Sequence, residues 1–283
     1  MDLVELRIFK AVAEQGGILR AASTLHRVQS NVTTRVQRLE ARLGTKLFNR
    51  ERRRLVLTAE GKVLLDYAQR LLQLSGEAQA AVKGIAPQGA LKLGALESTA
   101  ATRLPPVLAR FHKANPAVRL ELATGTTAAL AARVLRGELD AAFIAEPFSA
   151  RNLAAEPAFV EELVLITPKT HSRVSAPKDL HQPTILAFAS GCAYRRRLEA
   201  WLGRSSVVAE RVMEYGSYHA IVACAAAGCG IAVVPRSVLR ASGMESQLAV
   251  HPLPAKIANA RTMLVRRRGY QSSPLDALRK ELR

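Results

Sequence analysis

Cysteine is scarce in this chain: Cys192, Cys224 and Cys229 are the only three among 283 residues, and none forms a CxxC pair. Neither a disulfide framework nor a zinc site is indicated. Acidic residues are also in short supply, 23 Asp and Glu against 41 Lys and Arg, which leaves a formal net charge of +18. So basic a chain implies a polyanionic partner, nucleic acid or a membrane surface. No apolar run reaches the roughly 18–20 residues of a spanning helix. The opening MDLVELRIFKAV carries acids and starts an amphipathic helix, without the basic start and apolar stretch of a secretory signal. A cytoplasmic protein is therefore expected. Missing as well are a G-x-S-x-G elbow, HExxH, a Walker A loop and G-x-G-x-x-G, and the histidines are scattered. No catalytic residue, metal or cofactor is expected, which sets an enzyme behind a binding protein.

What is present is concentrated in residues 18–57, ILRAASTLHRVQSNVTTRVQRLEARLGTKLFNRERRRLVL. Apolar spacing predicts helices over 3–13, 18–26 and about 29–43, with stops at Gly16-Gly17 and Gly44. The third helix puts Val32, Val36, Leu39 and Leu43 on one side and short polar side chains on the other. Two short strands around a basic turn follow within 46–57. This is the layout of a winged helix-turn-helix that places its second helix in the DNA major groove. Gln29 and Asn31 can pair with adenine, and Ser30, Thr33 and Thr34 can bond a base edge or a phosphate. Arg35 and Arg38 are expected to meet DNA, as are the wing residues Arg50, Arg52, Arg53 and Arg54, at phosphates or in the minor groove.

Thr58 precedes a long helical stretch in which Leu64, Leu65, Ala68, Leu71, Leu72 and Ala78 recur at threes and fours. That stripe reads as a coiled-coil-like dimer helix, with Ile85 to Gly89 as a hinge. From residue 90 strands and helices alternate, the pattern of parallel-rich α/β sheets. The expected division is 1–58 DNA-binding domain, 59–89 linker helix and hinge, and 90–283 regulatory domain. Within the last, lobe I covers about 90–160 and 266–283, and lobe II about 161–265.

The segments AASTLH, QSNVTTRVQRLEARLGTKLFNR and LTAEG, then FHKANPAVRLEL, GELDAAFI and GCGIAVVP, closely resemble the LysR-type transcriptional regulators over essentially the whole chain. The resemblance implies an α/β protein with an N-terminal winged helix-turn-helix, a linker helix, and a two-lobed domain like a periplasmic binding protein. It implies a homodimer or homotetramer on double-stranded DNA with an interrupted palindrome, and RNA polymerase as a partner if the protein is an activator. It also implies a small-molecule effector between the lobes, at Ser98, Thr99 and Thr126 or Thr127. Two departures stand out: Val28 occupies the position of a small polar helix cap, and Thr34 replaces the arginine of many members.

Residues at strand ends and helix starts extend that pocket: Glu97, the Cys192-Ala193-Tyr194-Arg195 turn, and Ser217. Cations are unfavourable at a helix N-terminus, so Arg195 suggests an acid group on the ligand. Glu97 with Arg195 would suit an amine plus a carboxylate, an amino-acid-like effector or an organic acid. An inter-lobe salt bridge or a solvated arginine cluster is the plain alternative. Cys192 opens a further reading as a redox sensor, its thiol pKa lowered by the helix start and nearby arginines. A solute-binding protein would need a secretory signal and would not need residues 1–60.

Overall fold

A computed structural model describes residues 1–51, 54–82 and 86–282, and its contacts cluster into two units, Met1–Ala86 and Pro87–Arg283. In the first unit, α1 (Leu3–Gln15) starts from a reciprocal cap. The Glu5 N–H donates to Asp2 Oδ1 at 2.7 Å and the Asp2 N–H to Glu5 Oε2 at 3.0 Å. Then come α2 (Ile18–Thr24) and α3 (Gln29–Leu43), the latter closed by Gly44 at φ +67°. Strands β1 (Phe48–Glu51) and β2 (Arg54–Leu57) pair antiparallel as the wing, and α4 (Ala59–Val82) follows.

Leu6, Phe9, Val12, Ala21, Val32, Leu39 and Leu47 form the core of this unit. Buried Glu40 fixes the approach to the wing by accepting from the Leu47 and Phe48 N–H groups and from Lys46 Nζ at 2.8 Å. Burial pushes its carboxyl up, but Lys46 and the two N–H groups outweigh that and hold it below the ordinary value. At Gly61 a Cβ would collide with the Leu47 carbonyl oxygen, which accounts for glycine in the LTAEG segment.

The second unit has two lobes that share one long strand. Lobe one contains β3 (Gly89–Ala95), α5 (Glu97–Thr102), α6 (Leu104–Ala114), β4 (Val118–Thr124), α7 (Thr127–Arg136) and β5 (Ala141–Ala145). Strand β6 (Leu153–Pro168) then runs through both lobes. Its residues 153–162 pair with β11 (Asn259–Arg267) in lobe one. Its residues 163–168 pair with β9 (Ala232–Pro235) and β10 (Leu248–Pro252) in lobe two. Lobe two also holds β7 (Thr184–Ala187) parallel to β8 (Arg211–Glu214), with helices α8 (Ala193–Gly203), α9 (Tyr218–Ala226), α10 (Arg236–Ser242) and α11 (Ala255–Ala258). Helix α12 (Ser273–Lys280) returns to lobe one.

The expected parallel-rich sheets are in fact mixed. Strand β3 is parallel to β4 and β5, while β6 and β11 make only antiparallel pairs. These two strands carry the chain between the lobes in opposite directions, so they lie antiparallel. Strand β11 pairs with β6 from Asn259 onward.

Arg197 of α8 donates to the carbonyl of Glu146, just after β5, and to those of Lys256, Ile257 and Asn259 at the crossover into β11, all at 3.1–3.2 Å. On β10, buried His251 accepts the Val174 N–H at Nδ1 (3.1 Å), so its proton sits on Nε2, 2.9 Å from Thr167 Oγ1. Burial, then His171 and Arg173, lower its pKa. The stability contributed by the neutral ring is therefore complete above the ordinary value of about 6.5 and is lost as pH falls from there through the folded value. Calorimetry from pH 7.5 downward should show this decline, and His251→Asn, which keeps an acceptor for Val174, should flatten it. An unchanged slope would remove His251 as its source.

Candidate functional site

Helix α3 has two faces. Val32, Val36 and Leu39 are buried, 0–7% exposed, as their spacing predicts. At ~3.6 residues per turn the opposite face presents Ser30, Asn31, Thr34, Gln37, Arg38 and Ala41, all exposed. Gln29 is exposed in the first turn. Val28 is the N-cap, makes no side-chain cap bond, and stands 73% exposed. The first N–H groups of α3 are thus left without a side-chain partner, the situation that favours a phosphate oxygen.

Two of the expected DNA residues have partners within the chain. The Thr33 hydroxyl donates to the Gln29 carbonyl at 3.0 Å, and Arg35 lies 3.7 Å from Asp2 Oδ2. Gln37 was missed by the sequence reading, although its spacing from Ser30 and Thr34 places it on the outward face. The wing strands carry Arg50 and Arg54 in their backbone, but Arg52, Arg53 and all four of these side chains lie outside the described residues.

In the second unit a recess of about 260 Å³ opens between the lobes. Lobe one lines it with Leu96, Glu97, Gly125 and Thr126, and lobe two with Phe188, Cys192, Ala193, Tyr194 and Tyr218. Glu97 opens α5, Thr126 caps α7 by accepting the Ala129 N–H (3.4 Å), and Cys192 caps α8. The rings of Phe188 and Tyr218 lie 4.7 Å apart. At the lip, the Ala128 N–H of α7 donates to the Gly191 carbonyl of lobe two at 3.2 Å. A Cβ on Gly191, at φ +93°, would meet Ala128 Cβ at 2.9 Å, so this approach of the lobes requires glycine.

Behind the recess lies a set of polar groups without partners. Glu97 Oε2, Ser98 Oγ, Thr99 Oγ1, Tyr194 OH and Thr262 Oγ1 are buried and make no hydrogen bond among the described residues. The Tyr194 hydroxyl faces Ser98 and Thr262 closely enough to feel them, without hydrogen-bond geometry. Burial holds its pKa far above the ordinary phenol value, so it remains an O–H donor. Buried polar groups are almost always satisfied in folded proteins, and a cluster of unsatisfied ones beside a recess marks a place for water or a polar ligand.

Other expected pocket residues have local duties. Thr127 is buried and donates to the Ala145 carbonyl at 3.3 Å. Ser217 caps α9 by accepting the His219 N–H at 3.1 Å. Arg195, expected to meet an acid group of a ligand, meets two of its own lobe, Glu214 at 2.6 Å and Glu199 at 2.7 Å. Those carboxylates and the carbonyls around Arg197 explain how α8 tolerates cations in its first turn. The expected lowering of the Cys192 thiol pKa is not found: burial pushes the thiol up, outweighing the Arg195 and Tyr194 N–H groups and the Arg195 charge. Phe188 was not singled out from sequence; it follows the end of β7 and borders the cleft beside Tyr218, the first residue of α9.

A winged helix-turn-helix with an outward polar recognition helix, joined to a two-lobed α/β domain with a recess between its lobes, defines a DNA-binding transcriptional regulator with an effector-binding domain. Residues 3–62 match the bacterial regulatory helix-turn-helix protein of the lysR family, and residues 85–283 match the LysR substrate binding domain. The chain belongs to the LysR family. It is 41% identical over 281 residues to the uncharacterized HTH-type transcriptional regulator YusT of Bacillus subtilis, covering 97% of this chain and 93% of that protein. The HTH-type transcriptional regulator GltR of the same organism is 38% identical over 275 residues, covering 97% of this chain and 93% of GltR. Among solved structures, a full-length OxyR variant from Pseudomonas aeruginosa aligns with a TM-score of 0.73 at 25% identity, covering 100% of this chain and 95% of that one.

Proposed function

We propose that the chain reads an interrupted palindrome as a dimer or tetramer and that a small molecule in the recess shifts the geometry of that assembly. The supporting observation for DNA reading is the outward face of α3. In this reading Gln29, Ser30, Asn31 and Thr34 meet base edges, while Gln37 and Arg38 join the wing residues Arg50 and Arg52 to Arg54 at the backbone. Residues 1–58 carry DNA binding, 59–89 the linker, and 90–283 regulation. Glu97, Ser98, Thr99, Thr126 and Tyr194 serve the effector, and no catalysis is assigned to them. The protein acts where the DNA is, in the cytoplasm, and contacts RNA polymerase if it activates.

A ligand alters the assembly only if it binds the two cleft geometries with different affinity. The Ala128–Gly191 contact and the Arg197 clamp at the crossover into β11 are the elements that a change in lobe angle would have to rearrange. A thiol switch at Cys192 is the weaker reading, because a buried thiol with a raised pKa is a poor nucleophile.

One paired experiment tests the DNA assignment. Gln29→Ala should relax base preference at a cost of about 1–3 kcal/mol on the selected site. Arg53→Ala should weaken all sequences alike and lower the log–log salt slope by about one. Unchanged preference in the first variant, or sequence-selective loss at constant slope in the second, would overturn these roles.

A further inference from the structure

We propose that the ligand of the inter-lobe recess is a small organic cation, an ammonium with an apolar or aromatic body, whose charge is taken by Glu97. This rests on the reading of the recess as the effector site. Of the residues that line the recess, only Glu97 is charged; the adjoining hollow, which shares Phe188, Cys192, Tyr194 and Tyr218 with it, adds Arg195. One of its carboxylate oxygens is buried without a hydrogen-bond partner. A bound ammonium supplies the missing donors; a bound carboxylate would place a second negative charge beside Glu97 in a largely apolar recess.

The basic residue that could have compensated an anion is already spent. Arg195 is held by Glu199 and Glu214, and it borders a neighbouring recess rather than this one. Exposed His219, on α9, is the basic side chain nearest in effect to Glu97, and it does not line the recess. Burial already pushes the Glu97 carboxyl up from its ordinary value, opposed only in part by the Tyr218 N–H and His219, and a cation at Oε2 relieves that cost.

The remaining surface suits the rest of such a molecule. The Phe188 and Tyr218 rings offer faces that attract a cation and pack an apolar body. The Thr126 hydroxyl supplies an acceptor at the rim. The recess is tight, about 260 Å³ even with its open mouth counted, so the ligand is small.

The test uses the full chain and matched probes: phenethylamine and isobutylamine, their alcohol counterparts, and the carboxylates hydrocinnamate and isovalerate. Thermal shift should show concentration-dependent stabilisation by at least one amine and little by its alcohol or acid counterpart. Glu97→Gln should keep the melting temperature of the unliganded protein and weaken the amine by about tenfold to a hundredfold, the loss expected for a charged hydrogen bond. Glu97→Asp, with the charge drawn back, should fall between the two. Stabilisation by an acid in preference to the amines, or undiminished amine binding in Glu97→Gln, overturns the cation assignment and leaves the effector cleft standing. No shift from any probe overturns the assignment and counts against the ligand-responsive cleft as well.

Discussion

Arg103→Ala is expected to destabilise the second unit by about 3 kcal/mol, the lower end of the cost of breaking a buried ion pair, because Arg103 itself is 38% exposed. Its partner is not: Glu161 on β6 is 1% exposed. Arg103 Nε and Nη2 donate to the two Glu161 oxygens at 2.6 and 3.1 Å, a bidentate pair. Ser237 Oγ of α10 donates to the same carboxylate at 2.8 Å. Remove the guanidinium and a buried carboxylate keeps one hydroxyl, with no cation to offset its desolvation. Arg103→Met combined with Glu161→Leu should recover most of the loss, since apolar replacement of both partners is often neutral. Denaturant unfolding of the single and double variants reads this directly. A loss below about 1 kcal/mol for Arg103→Ala would mean that water reaches Glu161 once the arginine is gone. The pair also has a functional place. Arg103 lies between α5 and α6 in lobe one, Ser237 in lobe two, and Glu161 where β6 passes from one to the other, so the carboxylate couples the turn after Glu97 to the crossover.

How far these features are legible in sequence depends on the range of the interactions that make them. The helix-turn-helix is local: apolar spacing, Gly16 and Gly44 place α1 to α3 within a residue or two of their observed bounds. The faces of α3 follow from the same periodicity, which also places exposed Gln37 beside Thr34 and Arg38. Helices α5 and α10 leave little trace in the sequence because neither begins with a side-chain cap. Leu96 and Pro235 precede them, and ESTAAT and RSVLRAS are too short to show a period. The first ten residues of β6 are hard to read for a related reason, since Glu156, Glu161 and Glu162 interrupt the apolar alternation; Glu161 faces inward where Arg103, 58 residues away, meets it. The cleft segments were recognisable as strand ends and helix starts, yet the directions of Arg195, Thr127 and Ser217 were not. Each is settled by a partner on another element or by its own turn, and chemical type alone does not reveal that. Glu97, a carboxylate at the end of an apolar strand, is the expected residue that lines the recess with its charge unpaired by a neighbouring cation among the described residues.

Charging the outer face of α4 should separate the subunits. The apolar stripe in this helix divides into two. Leu64, Leu65, Ala68 and Leu72 pack into the core of the first unit, so most of the residues that suggested a dimer helix are spoken for within the chain. A second row, Val63, Tyr67, Leu71 and Leu74, is 39–58% exposed at a spacing of four, four and three. An apolar row of that length on a surface helix marks a partner helix, and a second α4 presents the same row by symmetry. Tyr67→Glu with Leu74→Glu keeps good helix formers in place and puts like charges across the seam. Light scattering should then show an assembly of half the size, monomers from a dimer or dimers from a tetramer. Affinity for a two-half-site palindrome should fall by about a hundredfold or more, because the second recognition helix no longer gains from the binding of the first. Affinity for a single half-site should stay the same, which separates lost pairing from damage to α3. A variant that still dimerises and binds the palindrome within about threefold of the parent would show that the contact lies elsewhere. Substitution at Leu64 or Leu72 is expected to behave differently, unfolding the first unit and abolishing half-site binding too, since those side chains support the helices that hold α3 in place.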